Sequence, residues 1–419
     1  MFDTIPGLLD QIRSRFAHVD SDPFQGERVF FENAGGALTL KSVVQTSADY
    51  AAIPDNQGRE NVASHALVAA IARSRADMQS FFNPEGGQFF VGESGTELLF
   101  RLIRTACLGT PEGGRVLGST LEHPASRSAC ARYAPVGGKA HVLVEHDVAR
   151  GSVDLAAYRP EITPDTRVAT ILHTSPVTGM GVDVAEIAAG IRAVAPECFI
   201  IVDGIQHAAH GRLDLAAYGV DGYVISPYKA FSRHGYGVAW VSDRLAGLPR
   251  DALLDAPGTS WEMGTRDTGA YATFSDVVAY LDWLGSHFTE SDAPRERIVA
   301  AGEAIHAHEK QLTDAMLHGT GNLPGLAQIP GVTIVGGVEN PLREGLVSFA
   351  VDGLKAPEIV EALNQAGVRT HTRKADHYSA NILAPMGLEA CVRVSVCHYN
   401  SLEEVEHLLE AMRDITRRG

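Results

Sequence analysis

The chain has 419 residues, 45% of them hydrophobic, and a formal net charge of -16 at pH 7. That length suits two domains with a substantial core, and the acidic balance excludes broad electrostatic attachment to nucleic acid or anionic membranes. No apolar run reaches the roughly 18 residues a membrane helix needs, and the opening stretch MFDTIPGLLDQIRSRF lacks the basic start and apolar centre of a secretion signal. A cytoplasmic protein working on a small molecule is the expectation. The five cysteines (Cys107, Cys130, Cys198, Cys391, Cys397) are odd in number and without C-x-x-C spacing, which suggests neither a disulfide framework nor a zinc site.

In chain order, short apolar runs alternate with helical patterns: QFFVG near 88, RVLG near 115, HVLVE near 141, RVATILH near 167, CFIIVD near 198, GYVIS near 222 and YGVAWVS near 236. This is the rhythm of a parallel sheet covered by helices, an α/β fold. Residues 184–196, VAEIAAGIRAVAP, have the apolar spacing and proline stop of a crossover helix. Past about residue 290 the pattern changes to a long helix, strands near 332, 345 and 391, and a final helix in which Ser401 and Glu404 form a capping-box pair. These features predict a smaller α+β domain.

The chemistry lies where the strands end, since open α/β sheets bind ligands there. Asp203 closes FIIVD and is followed by Gly204, Ile205, Gln206 and His207; GYVIS runs into Ser226, Pro227, Tyr228 and Lys229, then a glycine-containing loop. Taken singly, an Asp at a strand end serves equally as a helix cap, and a loop lysine is ordinarily a solvated charge. Together they meet a specific requirement. A desolvated lysine amine can form Schiff bases, and a carboxylate opposite a pyridine nitrogen makes that ring an electron sink.

DGIQH followed by SPYKAFSRHGYG resembles the class V aminotransferase and cysteine desulfurase superfamily of fold-type I pyridoxal 5'-phosphate (PLP) enzymes. The resemblance implies a PLP-dependent transferase fold of type I, with a large domain built on a mostly parallel seven-stranded sheet and a smaller C-terminal α+β domain. Its expected division is a segment 1–30 packing on the small domain, a PLP-binding domain 31–290 and a small domain 291–419.

The same resemblance assigns Lys229 to the Schiff base, Asp203 to the pyridine nitrogen, Gln206 to the phenolic oxygen and Ser226 to the phosphate. Tyr228 replaces the family's usual histidine and can still donate to phosphate. VGESGTELL brings Gly95 and Thr96 to a helix N-terminus that suits phosphate. His123 in LEHPAS falls where the family stacks a ring on the cofactor. Ser175 and Pro176 stand where the family supplies an asparagine. WEMGTRDTGAY places Gly264 and Thr265 where the family reaches a partner subunit's phosphate, which implies a homodimer.

For the substrate, the same resemblance implies Arg393 in VRVSVCHYNS as the α-carboxylate ligand, with Arg369 as a second arginine near the pocket and Asn33 in FENAGG on the segment that lines the cleft. The polar loop 371–379 contributes Arg373 and His371 as candidates for substrate choice. In cysteine desulfurases the segment after Arg369 carries a persulfide cysteine; here it reads THTRKADHYSANIL and has none. The expected reaction is therefore β-elimination at an α-amino acid by a carbon-sulfur lyase without that thiol, with transamination and epimerisation of the isopenicillin N type as alternatives.

Overall fold

The computed structural model describes residues 2–255 and 260–418. Residues 88–241 build a sheet from β1 (Gln88–Gly92), β2 (Arg115–Ser119), β3 (Ala140–Val144), β4 (Thr166–Leu172), β5 (Phe199–Asp203), β6 (Gly222–Ile225) and β7 (Gly237–Val241), in the order β1-β7-β6-β5-β4-β2-β3. β2 to β6 run parallel, whereas β7 is antiparallel to both β6 and β1. Every residue of β5, β6 and β7 is buried, because helices cover both faces of the sheet and leave no polar side.

Three helices fix the active edge. α1 (Gly95–Gly109) follows β1 and buries Leu98, Leu99, Leu102 and Ile103 along one stripe; α2 (Pro124–Val136) follows β2; α3 (Val184–Val194) is the expected crossover between β4 and β5.

Downstream come α4 (Thr268–Gly285), α5 (Pro294–His318), β8 (Val332–Ile334), β9 (Leu346–Val351), α6 (Ala356–Gln365), β10 (His371–Lys374), β11 (Ala390–Ser395) and α7 (Leu402–Arg418). The strands form a second, antiparallel sheet ordered β8-β9-β11-β10. α5 belongs to both cores: Ile298, Ala301 and Ile305 pack with the large sheet's apolar cluster, and Leu312, Met316 and Leu317 with that of the second sheet. The chain before residue 31 also touches both parts. Val29–Phe30 pairs in parallel with Val368–Arg369, while Phe16 packs on Phe231, Tyr280 and Tyr399.

Residues 371–374, expected in a loop, form the edge strand β10. Its register sets His371 opposite Arg393 and Arg373 opposite Cys391. Directly opposed residues share a sheet face, so the strand gathers these side chains together. The capping box of α7 is formed: Glu404 N donates to Ser401 Oγ (3.2 Å) and Ser401 N to Glu404 Oε2 (3.0 Å).

Candidate active site

β5 and β6 are parallel neighbours, with Asp203 beside Val224, so the residues following both strands emerge on one edge of the sheet. Asp203 is 3% exposed, and its Oδ1 accepts from Ile205 N at 3.1 Å. Burial pushes its carboxyl up to about 6, against the pull of that hydrogen bond and of Lys229. Lys229 ends the turn Pro227–Lys229 and donates from Nζ to Gln206 Oε1 at 3.0 Å. Burial first, and the nearby Arg393 second, bring its amine down to about 7, with Asp203 opposing. An amine so depressed is largely uncharged just above neutrality and available as a nucleophile or proton acceptor.

Seven of the expected residues (Thr96, His123, Asp203, Gln206, Ser226, Tyr228 and Lys229) line one cleft, together with Leu172, Pro176 and Ile205. Its end is shaped by glycine. A Cβ on Gly95 would lie 2.4 Å from Ser226 Oγ and 2.5 Å from Ile205, and one on Gly237 would lie 2.6 Å from the Ser94 backbone. The first turn of α1 can therefore close on β6 and β7 only without those side chains, which brings its N–H groups and the Ser226 hydroxyl to the same spot. Such a cradle of backbone donors, a hydroxyl and a helix N-terminus suits a phosphate.

His123 caps α2, its Nδ1 accepting from Ala125 N at 3.2 Å. Burial, then the charges of Lys229 and Arg373, lower it to about 4, so the ring is neutral near pH 7. Tyr228 stacks on His234 with centroids 4.3 Å apart. Where an asparagine was missing from the sequence, Pro176 lines the cleft and the Ser175 hydroxyl instead accepts from Val177 N and Thr178 N within its own turn.

The arginines divide sharply. Arg393, 3% exposed on β11, donates from Nη1 to Pro176 O at 3.0 Å, and its buried Nε has no hydrogen-bond partner among the described residues. Burial brings it down to about 10, so it stays charged with donors to spare. Gly35 lies over it, since a Cβ there would sit 3.5 Å from Nη2. A buried guanidinium with unused donors beside Pro176 fits a carboxylate.

Arg369, in contrast, is already committed to Glu32 Oε2 at 2.8 Å and Asp22 Oδ2 at 3.5 Å, and its side chain is 40% exposed. Asn33 also departs from the expectation of a substrate ligand. Its Nδ2 donates to Ser395 O at 2.8 Å and its Oδ1 accepts from the Tyr399 hydroxyl, which leaves no free group and makes it a tie between residues 30–36 and β11. Arg373 is half-buried and donates from Nε to Ser379 Oγ at 3.0 Å, while its charge is felt by His123, Lys229 and Arg393. Thr265 is exposed, in the loop preceding α4 and away from its own chain's cleft.

Several partners were not anticipated. Glu122, beside His123, is 1% exposed and accepts from Thr170 Oγ1 (2.7 Å) and Ser119 N (2.9 Å). Burial lifts it to about 7. Glu32 gathers Arg369 and also His371, at 3.1 Å. His210 pairs with Glu309 behind Gln206. A glutamate adjoining His123 was visible in LEHP; the other two pairings join residues far apart in sequence. All five cysteines are buried. No helix among the described residues is long and apolar enough to cross a membrane.

The chain resembles a cysteine desulfurase of Synechococcus elongatus, with 27% identity over 403 residues, covering 92% of this chain but only 60% of that protein. An aminotransferase-like protein of Gibberella zeae is 22% identical over 418 residues, covering 96% of this chain and 97% of its own. Among solved structures, the apo cysteine desulfurase of Thermococcus onnurineus superposes with a TM-score of 0.82 at 20% identity, over 98% of both chains. Cysteine desulfurase CsdA of Escherichia coli gives 0.78 at 21% identity, also over 98% of both. These superpositions confirm the fold. The profile of the aminotransferase class-V family matches residues 29–286 and 299–408, and the chain therefore belongs to that family of PLP-dependent enzymes.

Proposed function

We propose that the chain binds PLP in the Lys229 cleft and acts on an α-amino acid, eliminating a sulfur or related group from the β-carbon without passing it to a protein thiol. The observation that carries this reading is where the thiols lie. Residues 370–383 contain no cysteine, and the five cysteines elsewhere are buried. Burial pushes Cys391 up to about 11 and Cys107 and Cys198 up to about 12, and holds Cys130 and Cys397 well above the ordinary thiol value. A thiol kept protonated and out of solvent is a poor acceptor of sulfur.

When bound, PLP supplies an electron sink for the charge left at the substrate's α-carbon. The protein's own groups have these parts in the proposal. Asp203 would hold a proton on the ring nitrogen, Gln206 would meet the phenolic oxygen, and His123 would cover one face. Gly95, Thr96, Ser226 and Tyr228 hold the phosphate, with Thr265 serving a partner's site in a homodimer. Arg393 would grip the α-carboxylate, and the Lys229 amine would accept the α-proton. Arg373, held by Ser379 at the cleft margin, faces the substrate side group. The division at residues 30 and 290 belongs to the same reading.

The test is to incubate the PLP-loaded protein with a panel of amino acids and assay pyruvate, sulfide and pyridoxamine phosphate. Pyruvate with sulfide supports elimination. Pyridoxamine phosphate without pyruvate overturns it in favour of transamination, and an inverted α-carbon without either product overturns it in favour of epimerisation.

A further inference from the structure

Behind the cleft, hydrogen bonds continue from Lys229 to α5. Lys229 Nζ donates to Gln206 Oε1 at 3.0 Å, Gln206 Nε2 lies 3.0 Å from His210 Nε2, and His210 Nδ1 lies 2.7 Å from Glu309 Oε2. His210 is 2% and Glu309 1% exposed. The other Glu309 oxygen is buried and has no hydrogen-bond partner among the described residues, so His210 is the main counterweight to its charge. The loop before β9 closes over the pair. A Cβ on Gly345, at φ +41°, would stand 2.8 Å from His210 Nδ1 and 2.9 Å from Glu309 Oε2.

An amide has one accepting and one donating end, which leaves two orderings of this chain. With Oε1 toward Lys229, Nε2 donates to His210, whose Nε2 must then carry a lone pair while Nδ1–H donates to Glu309. If His210 is protonated on both nitrogens, Nε2–H needs an acceptor, so the amide must turn and present its NH2 to Lys229 and to any ligand oxygen beside it.

We propose that the His210 and Glu309 pair sets which end of the Gln206 amide faces the cleft, and so acts as a positioning pair for the cofactor lysine. The groups facing His210 are Glu309 on α5, Glu344 just before β9, Lys229 across the amide and His398 after β11; Glu309 in turn feels His306 and Glu344. Burial works to lower His210, but Glu309 and then Glu344 outweigh it and hold the ring above its ordinary value. The Glu309 charge thus biases the ring toward double protonation and the amide NH2 toward the cleft, against the ordering with Oε1 toward Lys229 described above, and removing that charge favours the latter.

The inference rests on Lys229 being the cofactor lysine, and the experiment separates the two ideas. The PLP-loaded protein is titrated with acid and base, without substrate, while the visible cofactor band is followed. Glu309→Gln, isosteric and still able to bond His210, should raise the band's midpoint by at least about half a pH unit, because an amide NH2 facing the ligand's anionic oxygen is lost. His210→Asn should move it the same way and serves if Glu309→Gln does not fold. In a Gln206→Ala background Glu309→Gln should add no further shift. A lower melting temperature with an unmoved midpoint would reduce the pair to a structural role and overturn the proposal, as would a shift that survives in Gln206→Ala. If the wild-type protein instead forms no visible band with PLP and takes no borohydride-fixed label, the cofactor reading itself fails.

Discussion

The floor of the cleft and its arginine flank are built on opposite principles. The floor takes Asp203, Gln206, Ser226 and Lys229 from two adjacent strand ends, so their meeting follows from parallel pairing. The flank draws Glu32 from the N-terminal segment, Arg369 from the short strand Val368–Arg369 paired with that segment, and His371, Arg373 and Arg393 from two strands of the second sheet. There, each arginine's role depends on its partner. Arg369 is neutralised by acids, whereas Arg393 is buried with a donor unspent. Strand-end chemistry is thus local, and charge at a domain junction is decided by what packs against it.

The largest effect expected is at the floor. Lys229→Ala should lower kcat by about 10⁴-fold or more and abolish borohydride-fixed cofactor label, since among the described residues no other lysine lines the cleft. At the flank, Arg393→Lys should raise KM for the amino acid by roughly 10²-fold, because an ammonium cannot make the paired hydrogen bonds of a guanidinium. Equal losses from Arg393→Lys and Arg369→Lys in steady-state kinetics would erase the contrast drawn between the two.

The floor and flank are also coupled through charge. If Lys229 is the cofactor lysine as proposed, its amine, brought down to about 7, must be uncharged to capture PLP, so the second-order capture rate should rise with pH and level off above that value. Burial is the chief cause and Arg393 the next, so Arg393→Ala should move the midpoint upward, by on the order of one unit. A midpoint left in place would uncouple the two regions. The smallest effect is expected from Arg369→Ala. Its pair with Glu32 is partly exposed, with side-chain exposures of 40% and 22%. Thermal or urea unfolding should register a loss of only about 0–1 kcal/mol, with kcat within a few-fold of wild type.

The alternation of buried runs and amphipathic helices determined the sheet, the crossover helix and the capped final helix, because hydrophobic period and capping chemistry are properties of contiguous residues. The same holds for Asp203 and Lys229, each at the end of a strand readable from its own segment. Only the tertiary structure decided that β7 runs against its neighbours, that residues 371–374 form an edge strand, that Asn33 is spent on β11, and that His210 finds Glu309. A buried polar group takes its hydrogen-bond partners from whatever the fold brings to it, and for residues 99 positions apart that partner is set by how α5 lies across both cores, not by either sequence neighbourhood.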